Sequence, residues 1–162
     1  NQIIMFEQSI FYYKLNRYLP NFTWYGTKGC KKKYLKSPQW LRNIKNKKFL
    51  FWRLDTLLSD TKYMNKYYIN SGGWHFSNLK NAEDIEIKLK SYLHHRDYEV
   101  EELGLKKINE LIKNNQTVYD MFGDKISKKY GDDKRKKLEK YEFSNLPEYI
   151  KLNKDKLKEW ID

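Results

Sequence analysis

Lys66-Tyr67-Tyr68-Ile69-Asn70-Ser71-Gly72-Gly73-Trp74-His75-Phe76-Ser77 is the stretch on which the reading of this chain turns. Residues 66–70 are strand-like and run into Ser71 and a glycine pair, which together predict a turn. Two glycines permit backbone conformations and a close ligand approach that a side chain would block. An indole follows, of the kind that stacks on the apolar face of a sugar ring. His75 and Ser77 then supply hydrogen-bond donors, or in His75 one metal ligand. The same residues also fit a hairpin turn followed by a buried Trp, and alone they do not choose between the two.

Outward from this segment, the first 80 residues are rich in aromatics and poor in helical periodicity. Phe11, Tyr13 and Leu15 alternate with Tyr12 and Lys14, which predicts a half-buried strand within 6–15. Ser37-Pro38-Gln39-Trp40-Leu41-Arg42 predicts a helix start, with Ser37 as N-cap and Pro38 in the first helical position. The run Phe49-Leu50-Phe51-Trp52 is too short to assign. Downstream, Asn81 caps a helix with Asp84 at its third position and Ile85, Leu89, Tyr92 and Leu93 on one face. Asp84 with Lys88, and Glu86 with Lys90, add pairs at i,i+4 spacing. A second helix is expected over roughly 99–115 with Leu105, Ile108 and Ile112 inside. A third is expected from Asn145-Leu146-Pro147, with Ile150, Leu157, Trp160 and Ile161 on one side. These stripes are packing faces.

With 162 residues the chain can bury a core of its own. Without a Gly/Ser/Pro linker or an internal repeat, one domain over 1–162 is expected, with 116–162 as its lysine-rich, helical C-terminal extension. No stretch approaches the ~20 apolar residues of a membrane-spanning helix. Cys30 is the single cysteine, which excludes an internal disulfide and a thiolate cage. The net charge is +12, yet it is carried by Lys, with Arg only at 17, 42, 53, 96 and 135. Readers of bases and phosphates lean on the bidentate fork of Arg. A nucleic-acid partner is therefore not expected, although the charge would attract an anionic sugar nucleotide.

Several segments, in order, resemble one family. Gly72-Gly73-Trp74-His75-Phe76-Ser77 is similar to a GGWH-x-S loop that precedes a helix. Lys90-Ser91-Tyr92 and the step His95-Arg96-Asp97-Tyr98 look like the turn after it, K-S-F-S-H-x-E-Y, with one residue inserted. Upstream, Phe11-Tyr12-Tyr13-Lys14-Leu15-Asn16 resembles FYY-x-LN. Trp24-Tyr25-Gly26-Thr27-Lys28-Gly29-Cys30 resembles W-x-GTK, and Pro38 to Arg42 resembles P-x-x-L-R. Leu146-Pro147-Glu148-Tyr149-Ile150 with Asn153-Lys154 resembles LPEYI-x-x-N-K. This is the pattern of glycosyltransferase family 17, the bisecting-type N-acetylglucosaminyltransferases, held in order from about residue 6 to residue 160.

The resemblance implies an α/β nucleotide-diphospho-sugar transferase fold of the GT-A kind, to which this chain would contribute the later strands and covering helices. It implies transfer of N-acetylglucosamine from a UDP-sugar donor to a mannose or other hydroxyl of a glycan acceptor, with inversion. Asp97, with His95 beside it, would take the acceptor proton. Trp24 and Trp74 would be sugar platforms, with Gly26, Thr27, Gly72, Gly73 and Ser77 lining the site. Lys28 and Arg42 would face the departing diphosphate, and His75 would add one ligand to a divalent cation, Mn²⁺. The family's Asp-x-Asp motif is absent: Asp132-Asp133 lies in the lysine-rich tail, and Asp55 and Asp60 have no carboxylate at i+2. It is expected upstream of Asn1, in a longer product. A soluble or cytoplasmic enzyme of bacterial or viral type fits, or a Golgi enzyme if an anchor precedes. The alternative is a glycan-binding module that keeps the platforms without the chemistry.

Overall fold

A computed structural model describes residues 2–47, 52, 58–91, 103–118 and 136–162. The strands are β1 (Gln2–Phe6), β2 (Gln8–Tyr12), β3 (Arg17–Trp24), β4 (Lys28–Gly29), β5 (Asn65–Ile69), β6 (Trp74–Ser77) and β7 (Glu139–Lys140). The α-helices are α1 (Pro38–Asn43), α2 (Ala82–Ser91), α3 (Gly104–Lys113) and α4 (Glu148–Leu152). The chain is thus mixed α and β. Two compact units divide it, one of residues 1–9 and 23–75, the other of residues 10–22 and 76–162.

The first unit is built on a three-stranded sheet of order β4-β1-β5. β1 runs parallel to β5, with Ile3 opposite Lys66 and Phe6 opposite Ile69, and antiparallel to β4, with Met5 opposite Lys28. Ile3 and Met5 point to the same face and are fully buried against Trp40 and Ile44. At about 1.5–3 kcal/mol for each large apolar side chain, this contact fixes α1 on the sheet. As the sequence predicts, the Ser37 hydroxyl accepts a hydrogen bond from the Trp40 N–H at 3.0 Å, and Pro38 opens α1. The Trp40 indole N–H donates to the Asp60 carbonyl at 3.1 Å.

A second sheet has the order β6-β2-β3-β7. β2 is an inner strand, which corrects the expected alternation: Phe11, Tyr12 and Tyr13 are all buried. The strand stops at Tyr12 because Tyr13 takes a left-handed conformation, φ 63°. In the second unit Phe11 packs on Phe76 and Tyr141, with ring centroids 5.1 and 5.0 Å apart.

α2 starts where expected. The Asn81 side-chain carbonyl accepts from the Asp84 N–H at 2.8 Å, and Glu86 pairs with Lys90 at 3.3 Å. Lys88 donates instead to the Asn78 side chain. α2 packs against α3. The buried stripe of α3 is Ile108 and Leu111, while Leu105 is exposed. The helix begins at Gly104, with φ 68°, so Leu105 sits at the exposed amino-terminal end of that stripe. The expected third helix is broken. α4 ends at Leu152, and the Asn153 side-chain amide turns back to donate to the Tyr149 carbonyl at 2.9 Å. Such bonds compete with helix continuation. Leu157, Trp160 and Ile161 still pack on Phe11, Leu146 and Ile150. Among the described residues no helix is long and apolar enough to cross a membrane.

Candidate functional site

β1 and β5 are parallel, and their carboxyl ends open on one edge of the first sheet. In open α/β sheets that edge is where ligands bind. β1 leaves it through Glu7 and enters the second sheet as β2. β5 leaves it through 70–73 and enters the second sheet as β6. The glycine turn therefore joins two sheets and does not close a hairpin, which removes that alternative.

The turn is held tightly. The Gly72 N–H donates to the Glu7 carbonyl at 2.7 Å, the Glu7 N–H to the Ile69 carbonyl at 3.0 Å, and the Ser9 N–H to the Gly73 carbonyl at 3.2 Å. A Cβ on Gly72 would lie 2.8 Å from the Ile69 carbonyl oxygen and 3.1 Å from the Phe6 Cα. Gly73 has φ 130°, a conformation that L side chains rarely adopt. Both glycines are thus required by the backbone.

Trp74 opens β6 and is 38% exposed. It is not the sealed indole of the bland alternative. Trp24 closes β3, and its ring stacks on His75 with centroids 4.9 Å apart and planes 25° from parallel. β3 and β6 flank β2, so this stack spans the start of the middle strand. Gly26 lies directly beneath the indole, where a Cβ would collide with the ring. The W-x-G spacing is therefore a packing requirement of the Trp24 ring.

Thr27 donates its hydroxyl to the Gln8 side-chain carbonyl at 2.9 Å. The Gln8 amide nitrogen in turn lies 3.4 Å from where a Gly73 Cβ would stand. Tyr25 donates to Glu7 Oε1 at 2.9 Å and meets Tyr68 edge-on at 5.8 Å. Tyr68 donates to the Asn46 side-chain carbonyl at 2.7 Å. Burial, then the hydrogen bond to Glu7 and that carboxylate's charge, push the Tyr25 phenol above its ordinary range. Sequence reading passed over Glu7, Gln8 and Tyr25. Glu7 and Gln8 sit between two β-prone runs, and a polar pair interrupting such runs was the available signal.

Lys28 donates to the Arg42 carbonyl at 2.9 Å, and Lys66 to the Lys47 carbonyl at 3.1 Å. Both ammoniums thereby cap carbonyls at and beyond the carboxyl end of α1. Desolvation, reinforced by Lys45, Arg42 and Lys66, holds the Lys28 ammonium below the usual lysine range. A group of cations that penalise one another's charge is suited to an anion.

Of the residues expected at the site, Trp24, Gly26, Thr27, Lys28, Arg42, Gly72, Gly73, Trp74 and His75 belong to the first unit, and Ser77 to the second. Asp97 and His95 lie outside the described residues, as do Tyr92 and Leu93. Among the described residues no three His, Cys, Asp or Glu side chains converge in a metal-binding group. Compared with family models, curated proteins and solved structures, the chain finds no match in any of the three.

Proposed function

We propose that this chain is the acceptor-side part of an inverting glycosyltransferase that moves N-acetylglucosamine or a related sugar from a UDP-sugar to a hydroxyl of a mannose-type acceptor. The observation that carries the reading is the exposed indole of Trp74, placed directly after a turn at the carboxyl ends of two parallel strands. Indole faces offer apolar area of the shape that C–H faces of a pyranose present, at low cost in side-chain entropy. The ordered motifs resembling glycosyltransferase family 17 supply the reaction class, and with it the GT-A-like fold.

In that reaction the acceptor hydroxyl loses its proton to a carboxylate, Asp97 with His95 beside it. Its oxygen bonds to the anomeric carbon from the face opposite the diphosphate, and the old C–O bond breaks toward the phosphate. Lys28 and Arg42 would face the negative charge that builds on the leaving group. The metal-binding Asp-x-Asp of the resemblance would lie in a longer product, so transfer belongs to that product and acceptor binding to this chain.

Two measurements test the proposal. Ligand-observed NMR of the 162-residue chain should detect methyl α-mannoside or N-acetylglucosamine, and Trp74→Ala should abolish the signal. Sugar transfer by the complete product should fall with Trp74→Ala and with Asp97→Asn. Undiminished transfer in both variants would falsify these assignments. Saccharide binding by a complete product that never transfers sugar would favour the other reading, a glycan-binding module without the chemistry.

A further inference from the structure

We infer that Glu7 and Gln8, at the bend between β1 and β2, form the hydroxyl-reading edge of the acceptor site, taking two neighbouring hydroxyls of one pyranose. The inference rests on the saccharide reading above and adds the polar partners that the indoles lack.

Glu7 directly follows the carboxyl end of β1, next to the carboxyl end of parallel β5, with its N–H and C=O both fixed by Ile69 and Gly72. A fixed main chain leaves the side chain few ways to move. Tyr25 then engages one carboxylate oxygen, Oε1, at 2.9 Å. A carboxylate has about four acceptor sites, so Oε2 keeps its capacity for a ligand. Gln8 is arranged in the complementary sense. Its carbonyl is taken by the Thr27 hydroxyl at 2.9 Å, which turns the amide nitrogen toward Gly73. An amide nitrogen carries two donors.

A pair of adjacent sugar hydroxyls donates one hydrogen bond and accepts another. A pre-oriented carboxylate and a pre-oriented amide from consecutive residues match that pattern. Both side chains are half-buried, so a ligand hydroxyl replaces little bulk water when it binds. The first unit has one other described carboxylate, Asp60, and it is paired with Lys36 at 3.0 Å. The glycine at 73 also gains a reason beyond its backbone angle: it leaves the Gln8 amide uncovered.

The test is a cycle between protein and ligand. Methyl α-mannoside and its monodeoxy analogues are titrated by NMR into the wild-type chain and into Glu7→Gln, which keeps the acceptor for Tyr25 and removes the charge. Loss of a hydrogen bond to a charged group should weaken binding about 10- to 100-fold. One deoxy analogue should lose as much on the wild type and nothing further on Glu7→Gln, since contacting groups are not additive. Fully additive losses for every analogue would overturn the contact. Gln8→Met, run through the same cycle, decides the matter if Glu7→Gln loses its near-ultraviolet circular dichroism. Wild-type binding in both variants, with Trp74→Ala inactive, removes this inference and leaves the saccharide reading. Coupled binding in a complete product that transfers no sugar removes the transferase reading and leaves this inference. No saccharide bound by the wild type removes both.

Discussion

Asn16 and Asp162 exchange a pair of hydrogen bonds: the Asn16 amide donates to the Asp162 carbonyl at 2.9 Å, and its side-chain oxygen accepts from the Asp162 N–H at 3.0 Å. Asn16 is 1% exposed, so both its polar ends are satisfied from a segment 146 residues away. The Leu15 N–H donates to the Trp160 carbonyl at 2.7 Å, and Arg17 pairs with the Asp162 carboxylate. The Asn of the FYY-x-LN segment therefore serves the architecture. Asn16→Ala removes both hydrogen bonds to the exposed Asp162, and each is worth about 0.5–1.5 kcal/mol net. Urea denaturation should show a lower midpoint with an unchanged slope. An unchanged midpoint would mean that this pairing contributes nothing.

The glycine turn makes a steric prediction. Gly72→Ala would press a Cβ onto the Ile69 carbonyl and the Phe6 backbone, neither of which is a flexible side-chain tip. Overpacking of this kind costs roughly 1–3 kcal/mol, read as a fall in Tm. Gly26→Ala meets the Trp24 indole instead. Its first effect should be a shift in Trp24 fluorescence as the ring leaves His75. If Gly72→Ala melts with the wild type, the turn is looser than these distances require.

Trp74 and Trp24 should separate by readout. Trp74 is 38% exposed, and surface changes usually stay within about 0.5 kcal/mol. Trp74→Ala should therefore abolish saccharide binding at near-normal stability. Trp24→Ala removes the partner of His75 and should lower both. Equal destabilisation by the two would assign Trp74 to packing.

Tyr25 predicts an alkaline effect. Burial first, then its hydrogen bond to Glu7 and the Glu7 charge, raise the phenol above its ordinary 10.0. Below that value the phenol is protonated in both folded and unfolded chains, and its contribution is complete. As pH rises past 10.0 the unfolded chain ionises first, so stability falls until the folded phenol ionises too. Urea midpoints measured from pH 8 to 11 should decline more steeply for the wild type than for Tyr25→Phe. Parallel curves would contradict the assignment.

Local chemistry was the legible part of this fold. The Ser37-Pro38 start of α1, the Asn81 cap of α2 and the strand before Gly72 each follow from residues within a few positions of one another. What the sequence hid depends on partners far along the chain. Tyr12 is buried because β2 has neighbours on both sides, and no alternation pattern announces an inner strand. α4 ends at Leu152, with the Asn153 amide folded back on the Tyr149 carbonyl, although the apolar spacing continues beyond it. At the candidate site the aromatic and glycine residues were visible as a motif. Glu7, Gln8 and Tyr25 were not, because their significance comes from a parallel pairing between residues 2–6 and 65–69. Asp97 and His95 were legible as part of a motif and lie outside the described residues.

The chain passes from one compact unit to the other at residues 9 to 10, 22 to 23 and 75 to 76. Neither unit is therefore spelled by one uninterrupted stretch of gene. Recombination, exon exchange or a cloning boundary placed anywhere between 10 and 75 would split both halves at once. The platform that would grip a sugar belongs to the first unit, so a transplant would have to carry both of that unit's segments, 1–9 and 23–75.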